Sequence, residues 1–200
     1  MYARSTTFHG LPGKIETAIR FIQTEAGPMV GQTPGCRGLS FLVDPDTGQC
    51  IVTSSWSDAT SMHAGDDALR PLRERGRDIL GGSMQVDEWE IAVMHRSHHG
   101  ASCRVSWMQG DLNVMVDTFR LAILPNLAQT PGFCSASLLV NRDDQVACVT
   151  TGWETRAAMA ASRVTADELR ERTATESGGT VVDVHEFDLA YAHLHVPEMA

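Results

Sequence analysis

Two hundred residues carry 16 lysines and arginines against 25 aspartates and glutamates, a formal charge of −9, with 42% hydrophobic and 20% charged residues. That balance excludes a disordered chain, a collagen-like repeat and a disulfide-stapled miniprotein, and predicts a soluble globular protein. No apolar run approaches the ~18 residues of a membrane span, and no basic cluster interleaved with aromatics offers the positive face that phosphates require, so neither membrane nor nucleic acid is an expected partner.

The first strand is expected over residues 2–8, where Ser5, Thr6 and Thr7 are strand formers and the pattern alternates. The opening residues lack the basic n-region and apolar h-region of a secretory signal, which leads to the expectation of a cytoplasmic protein. A helix follows over 11–30, with Pro12 near its start and Ile15, Ala18, Ile19 and Ile22 at helical spacing; Gly31 and Pro34-Gly35 end it. Strands over 39–43 and 50–56 are joined by Asp44-Pro45-Asp46-Thr47-Gly48, the composition of a hairpin loop. Asp58 is placed to cap a second helix that runs to Leu80 and stops at Gly81-Gly82, and a strand over 84–95 completes the set.

After the polar segment Arg96-Ser97-His98-His99-Gly100 the same order returns: strand 102–108, helix 111–127, strands 136–140 and 146–153, helix 155–176 and strand 181–194. The return is a duplication. Laying Gln32-Thr33-Pro34-Gly35 on Gln129-Thr130-Pro131-Gly132 sets an offset of 97 that also matches Trp56 with Trp153, Met62 with Met159 and Leu72-Arg73-Glu74-Arg75 with Leu169-Arg170-Glu171-Arg172. Between 32 and 75 this gives 17 identities in 44 positions, more than composition supplies. Small shifts match Arg4 with Arg104 and Trp89-Glu90-Ile91-Ala92 with Phe187-Asp188-Leu189-Ala190. The expected organisation is a repeat over 1–96, a linker over 97–100 and a second repeat over 101–200. Strand, helix, strand, strand, helix, strand is the ferredoxin-like order, and two such α+β units in tandem can cover each other's open sheet faces.

The opening Ala-Arg-Ser-Thr-Thr strand, Pro-Gly before the second strand, a hairpin, and a Trp closing the third strand before a helix resemble the antibiotic biosynthesis monooxygenase-like proteins of the dimeric α+β barrel superfamily. The likeness covers the whole chain, twice. It implies the α+β fold in which two ferredoxin-like (βαββαβ) units, usually from separate chains, pair their sheets, here as an intramolecular dimeric α+β barrel with a small apolar pocket between sheet and helices in each half. It also implies activities as different as cofactor-free oxygenation of quinols and anthrones, haem degradation, isomerisation, and none. The haem-degrading relatives use a Trp and an axial His about ten residues apart on the second helix. Here the only His on that helix is His63, seven residues after Trp56, and its counterpart is Ala160, so no cofactor is expected.

Two functional readings follow. In the first, a cofactor-independent monooxygenase-like enzyme takes a flat phenolic or quinol-type molecule. His63 or His9, present only in the first repeat, removes a proton, Trp56 forms a wall and Arg4 balances developing charge. In the second, the barrel is a non-catalytic or stress-associated binder of a small aromatic ligand. Plainer roles exist for each residue. The repetition of Trp56 as Trp153 suits a core anchor, and His9 and His63 suit solvated positions. Arg4 and Arg104 on first strands face Glu88, Glu90, Glu186 and Asp188 on fourth strands, as cross-strand ion pairs do. The arginines of 69–77 read as a solvated helix face. The five cysteines, without a CxxC, read as buried thiols, and His95, His98, His99, His193 and His195 as solvated groups, so no metal is expected.

Overall fold

The computed structural model describes residues 1–199, in eight strands and six helical runs. The strands are β1 (Tyr2–His9), β2 (Cys36–Val43), β3 (Gln49–Trp56), β4 (Ser83–Arg96), β5 (Ser102–Gln109), β6 (Phe133–Asn141), β7 (Val146–Trp153) and β8 (Thr180–Leu194). Their hydrogen-bonded order, β1-β3-β2-β8-β5-β7-β6-β4, closes on itself as a barrel. Each repeat has the ferredoxin-like order, as the pattern and the resemblance predict.

The chain divides into two compact units, one of residues 1–89 and 188–196, the other of residues 90–187 and 197–199. The division is discontinuous because β4 and β8 each belong partly to one unit and partly to the other. In the first unit β1 and β2 flank β3 antiparallel, with Arg4 opposite Ser54 and Ser40 opposite Thr53, and β2 pairs on its other side with the end of β8. In the second unit β5 and β6 flank β7 in the same way, and β6 pairs with the end of β4.

Helix α1 (12–31) begins at Pro12, whose fixed φ suits a first turn and whose missing N–H has no helical partner to lose. Its middle, Ile22–Ala26, is a π-turn between α-helical Ile15–Phe21 and Gly27–Gly31. The expected helix from Asp58 to Leu80 is in fact two: α2 (Ala59–Ala64), capped by the Asp58 carboxylate on the Ser61 amide at 2.7 Å, and α3 (Asp66–Leu80). The break coincides with the Met62 carbonyl, which the Arg4 guanidinium takes at 3.2 Å; the second unit breaks in the same place, at Ser162, where Arg104 takes the Met159 carbonyl. Gly81, in the left-handed conformation, ends α3 by donating to the Arg77 carbonyl.

The second unit repeats this with α4 (112–127), interrupted by a π-turn over Phe119–Ile123, then α5 (Arg156–Ala161) and α6 (Arg163–Glu176). The polar joint carries its own bonds, from the Ser97 amide and hydroxyl to the Cys134 carbonyl and from His98 to Glu154. Each unit has its own apolar core, around Phe8, Phe21, Phe41, Trp56 and Met62 in the first and Met115, Phe119, Leu138, Trp153 and Met159 in the second. Among the described residues, no helix is long and apolar enough to cross a membrane.

Candidate functional site

Strand and helix periods together define a pocket in the first unit. Alternate residues of β1 (Arg4, Thr6, Phe8), β2 (Leu39, Phe41) and β3 (Val52, Ser54) form its floor, because side chains two apart share a sheet face. The cover is one stripe of α1, including Phe21, Ile22 and Ala26, and one stripe of α3, Leu69, Leu72, Arg73, Gly76 and Leu80. The cavity holds about 60 Å³. On the measure by which ~10–15 Å³ admits one water, that is space for roughly four waters. Ile22 and Ala26 lie in the π-turn, a departure from the α-helical ladder that often accompanies functional sites.

The polar groups of this lining are Arg4, Arg73, Thr6 and Ser54. Arg4 is 5% exposed yet fully engaged: Nε and Nη2 donate to Glu88 Oε1 at 3.2 and 2.5 Å, and Nη1 lies 2.9 Å from Asp66 Oδ1 and donates to the Met62 carbonyl. Arg73 Nη2 lies 2.5 Å from the same Asp66 Oδ1, and Arg70 holds Oδ2 at 2.8 Å. Burial pushes the Asp66 carboxyl up, but hydrogen bonds from Arg70 and Arg73 outweigh it and leave its pKa below the ordinary range. Glu88 behaves alike, raised by burial and lowered further by bonds from Arg4 and His63. Arg4 and Arg73 sit deeper than their partners, Arg4 at 5% side-chain exposure against 43% for Glu88 and Arg73 at 15% against 26% for Asp66. Solvent therefore screens the carboxylates first, and the guanidiniums are the charged groups at the cavity wall.

The four residues expected to form a site are not gathered there. Arg4 lines the cavity. His63 is 60% exposed and stands outside it, with Nε2 2.8 Å from Glu88 Oε2, so it reaches Arg4 only through that carboxylate. His9 is exposed at the far end of β1, five residues beyond Arg4, and is not part of the lining. Trp56 is completely buried, donates through Nε1 to Ser54 Oγ at 3.0 Å and packs under α2, apart from the lining. Arg73 is the residue that the solvated-face reading passes over. Leu69, Leu72, Gly76 and Leu80 place it inside the apolar stripe of α3, the one signal that distinguishes it from Arg70, Glu74 and Arg75.

The second unit has a corresponding pocket of about 60 Å³, floored by Ser106, Met108, Leu138, Val149 and Thr151 and covered by α4 and α6, with Arg170 where the first has Arg73. Arg104 donates to Glu186 Oε1 at 3.0 and 2.8 Å, to the Met159 carbonyl and to Ser162 Oγ. The expected Arg–carboxylate pairing between first and fourth strands is thus present in both units, while Glu90 is held by Arg142. Among the described residues no three or more His, Cys, Asp or Glu side chains are grouped as metal ligands. His95 bonds Glu198, His98 bonds Glu154, and His193 and His195 meet through their Nε2 atoms at 3.0 Å.

No family model matches the chain. The uncharacterized protein Rv2558 of Mycobacterium tuberculosis is 39% identical over 208 residues, which cover all of this chain and 87% of that protein. Among solved structures, a provisionally named monooxygenase of Lactobacillus acidophilus superposes with a TM-score of 0.71 at 11% identity, covering 97% of this chain and 96% of that one. An anthrone oxidase-like protein superposes with a TM-score of 0.67 at 13% identity, covering all of this chain and 94% of that one. The folds agree with the resemblance read from the sequence, to the monooxygenase-like proteins of the dimeric α+β barrel type.

Proposed function

The chain belongs to one family with Rv2558 of M. tuberculosis, and for it we propose a cofactor-independent oxygenase that takes a single-ring phenol or quinol in the pocket of its first unit. The observation that carries this reading is the pairing of an apolar cavity with two guanidinium groups, Arg4 and Arg73, at its wall. An electron-rich phenolate is stabilised by such donors in a water-poor site. With one hydroxyl proton released to solvent, a quinolate can pass an electron to dioxygen, and collapse of the radical pair bonds oxygen to a ring carbon. The O–O bond then breaks and the outer oxygen leaves as water, taking up a proton and the ring hydrogen, to give a hydroxyquinone. The kinship in fold with an anthrone oxidase-like protein supports this class of reaction.

Arg73 binds the substrate oxygen, and Arg4, whose donors are held by Glu88, Asp66 and the Met62 carbonyl, adds its charge to the wall. His63 acts through Glu88, as a positioning residue that a proton can reach from solvent, rather than as the base in contact with substrate. Trp56 supports the floor from beneath by fixing Ser54, and His9 takes no part. A second reading, binding without turnover, is favoured by the absence of both histidines from the lining.

Binding of hydroquinone and 4-methylcatechol, followed by calorimetry under argon in the parent and in Arg73→Gln, tests the shared part of both readings. Saturable binding that weakens at least tenfold in the variant supports the site. Unchanged affinity overturns it.

A further inference from the structure

We infer that the second unit holds a ligand site of its own, built for a larger, anionic molecule: an apolar fused-ring or extended carboxylate. The two pockets share a floor plan but differ in room and in charge. Beside the inner cavity of the second unit lies an outer one of about 230 Å³, and both are lined by Leu127, Trp153, Ala166 and Leu169. Together they approach the ~300 Å³ at which pockets for drug-sized ligands begin.

The charge difference comes from three exchanges at the start of one helix, where Asp66, Asp67 and Arg70 give way to Arg163, Val164 and Asp167 at the same repeat positions. Where the first unit has Asp66, which gathers Arg4, Arg70 and Arg73, the second has Arg163 at the same repeat position. Arg163 bonds Glu186 Oε2 at 2.7 Å, the place that His63 takes on Glu88, so Glu186 neutralises two arginines at once. Arg170 is left with Asp167, one turn before it on α6. Three arginines thus face two carboxylates, whereas Arg4, Arg70 and Arg73 face Asp66, Asp67 and Glu88. Arg170 is only 13% exposed and lines the inner cavity, and burial together with Arg104 weakens its hold on its proton. A carboxylate at the inner end would supply the missing negative charge in a poorly hydrated place, with its rings against Trp153 and Phe119. The π-turn of α4, Phe119–Ile123, contributes Phe119 and Ile123 to that wall, as the π-turn of α1 does in the first unit.

This site stands independently of the quinol reading, and the variants separate the two. Titration of the intact chain with 2-naphthoate, and with uncharged 2-naphthamide, is followed by calorimetry in the parent, Arg170→Gln, Ala166→Phe and Arg73→Gln. The expected result is saturable naphthoate binding at least tenfold tighter than naphthamide, lost or weakened tenfold in Arg170→Gln, abolished in Ala166→Phe and unchanged in Arg73→Gln. Ala166→Phe fills the cavity without touching charge, so it keeps the test decisive should Arg170→Gln fail to fold. Absent binding, equal affinity for acid and amide, or a loss confined to Arg73→Gln overturns the inference.

Discussion

Replacing Arg4 by Met keeps a side chain of similar reach and removes the guanidinium. Glu88 then loses two hydrogen bonds, Asp66 loses an ion pair at 2.9 Å, and the Met62 carbonyl loses a buried donor. Stripping one partner from a fully buried ion pair costs about 3–5 kcal/mol. Here Glu88 is partly exposed and retains His63, and Asp66 retains Arg70 and Arg73, so water and the remaining cations cover much of the stranded charge. The lost charge-assisted bonds and the uncovered carbonyl set the cost at about 2–3 kcal/mol. For a chain of this length that lowers Tm by roughly 4–12 °C. Thermal melts of the parent, Arg4→Met, Glu88→Gln and the double variant, followed by far-ultraviolet circular dichroism, check the value. The double variant should be less damaged than the two singles added together, by ~0.5 kcal/mol or more. A melting point for Arg4→Met within 1 °C of the parent, or simple additivity, would refute the reasoning.

Other consequences are as direct. Glu88 and Asp66 have pKa values held below their ordinary 4.5 and 3.8, so their contribution to stability is complete above those values. It is lost as pH falls through the depressed folded ones. Tm should therefore decline on acidification below about pH 4.5, and less steeply in Glu88→Gln/Asp66→Asn; an identical slope contradicts the assignment. Burial, with Asp44 adding to it, pushes the Cys50 thiol up to about 12, so iodoacetamide at pH 8 should spare Cys50 in the native chain and alkylate it after denaturation, read by peptide mass spectrometry. Trp56→Phe should cost about 1–2 kcal/mol by removing the indole donor from buried Ser54 and some ring volume, as measured by urea denaturation, while ligand affinity in the first unit changes less than threefold.

The element order was legible because each repeat spells it with local signals that the packing does not override. Asp58 is a real cap, Gly81 a real stop, and Asp44–Gly48 a hairpin turn tied by the Asp44 carboxylate to the amides of Asp46 and Thr47. The duplication made the cross-strand pairing of Arg4 with Glu88 predictable, since Arg104 and Glu186 repeat it. The break at Gly65 was not legible, for it goes with a guanidinium that reaches the Met62 carbonyl from β1, as Arg104 reaches Met159 from β5. Neither were the π-turns, which no residue pattern announces. The candidate site was read only in part because reactive residue types drew attention to His9 and His63. Geometry puts charge at the cavity through Arg73, whose position within an apolar stripe was visible at i, i+3 and i+4 spacing but whose charge suggested solvent.

Oxygen uptake in the presence of hydroquinone and 4-methylcatechol, corrected for autoxidation, tests the proposed reaction most directly. Consumption should rise in proportion to protein, fall at least tenfold in Arg73→Gln, and yield the ring-hydroxylated quinone with one molecule of water for each dioxygen consumed. Saturable binding of the same quinols with no protein-dependent oxygen consumption would contradict the oxygenase reading and leave a binding protein in its place.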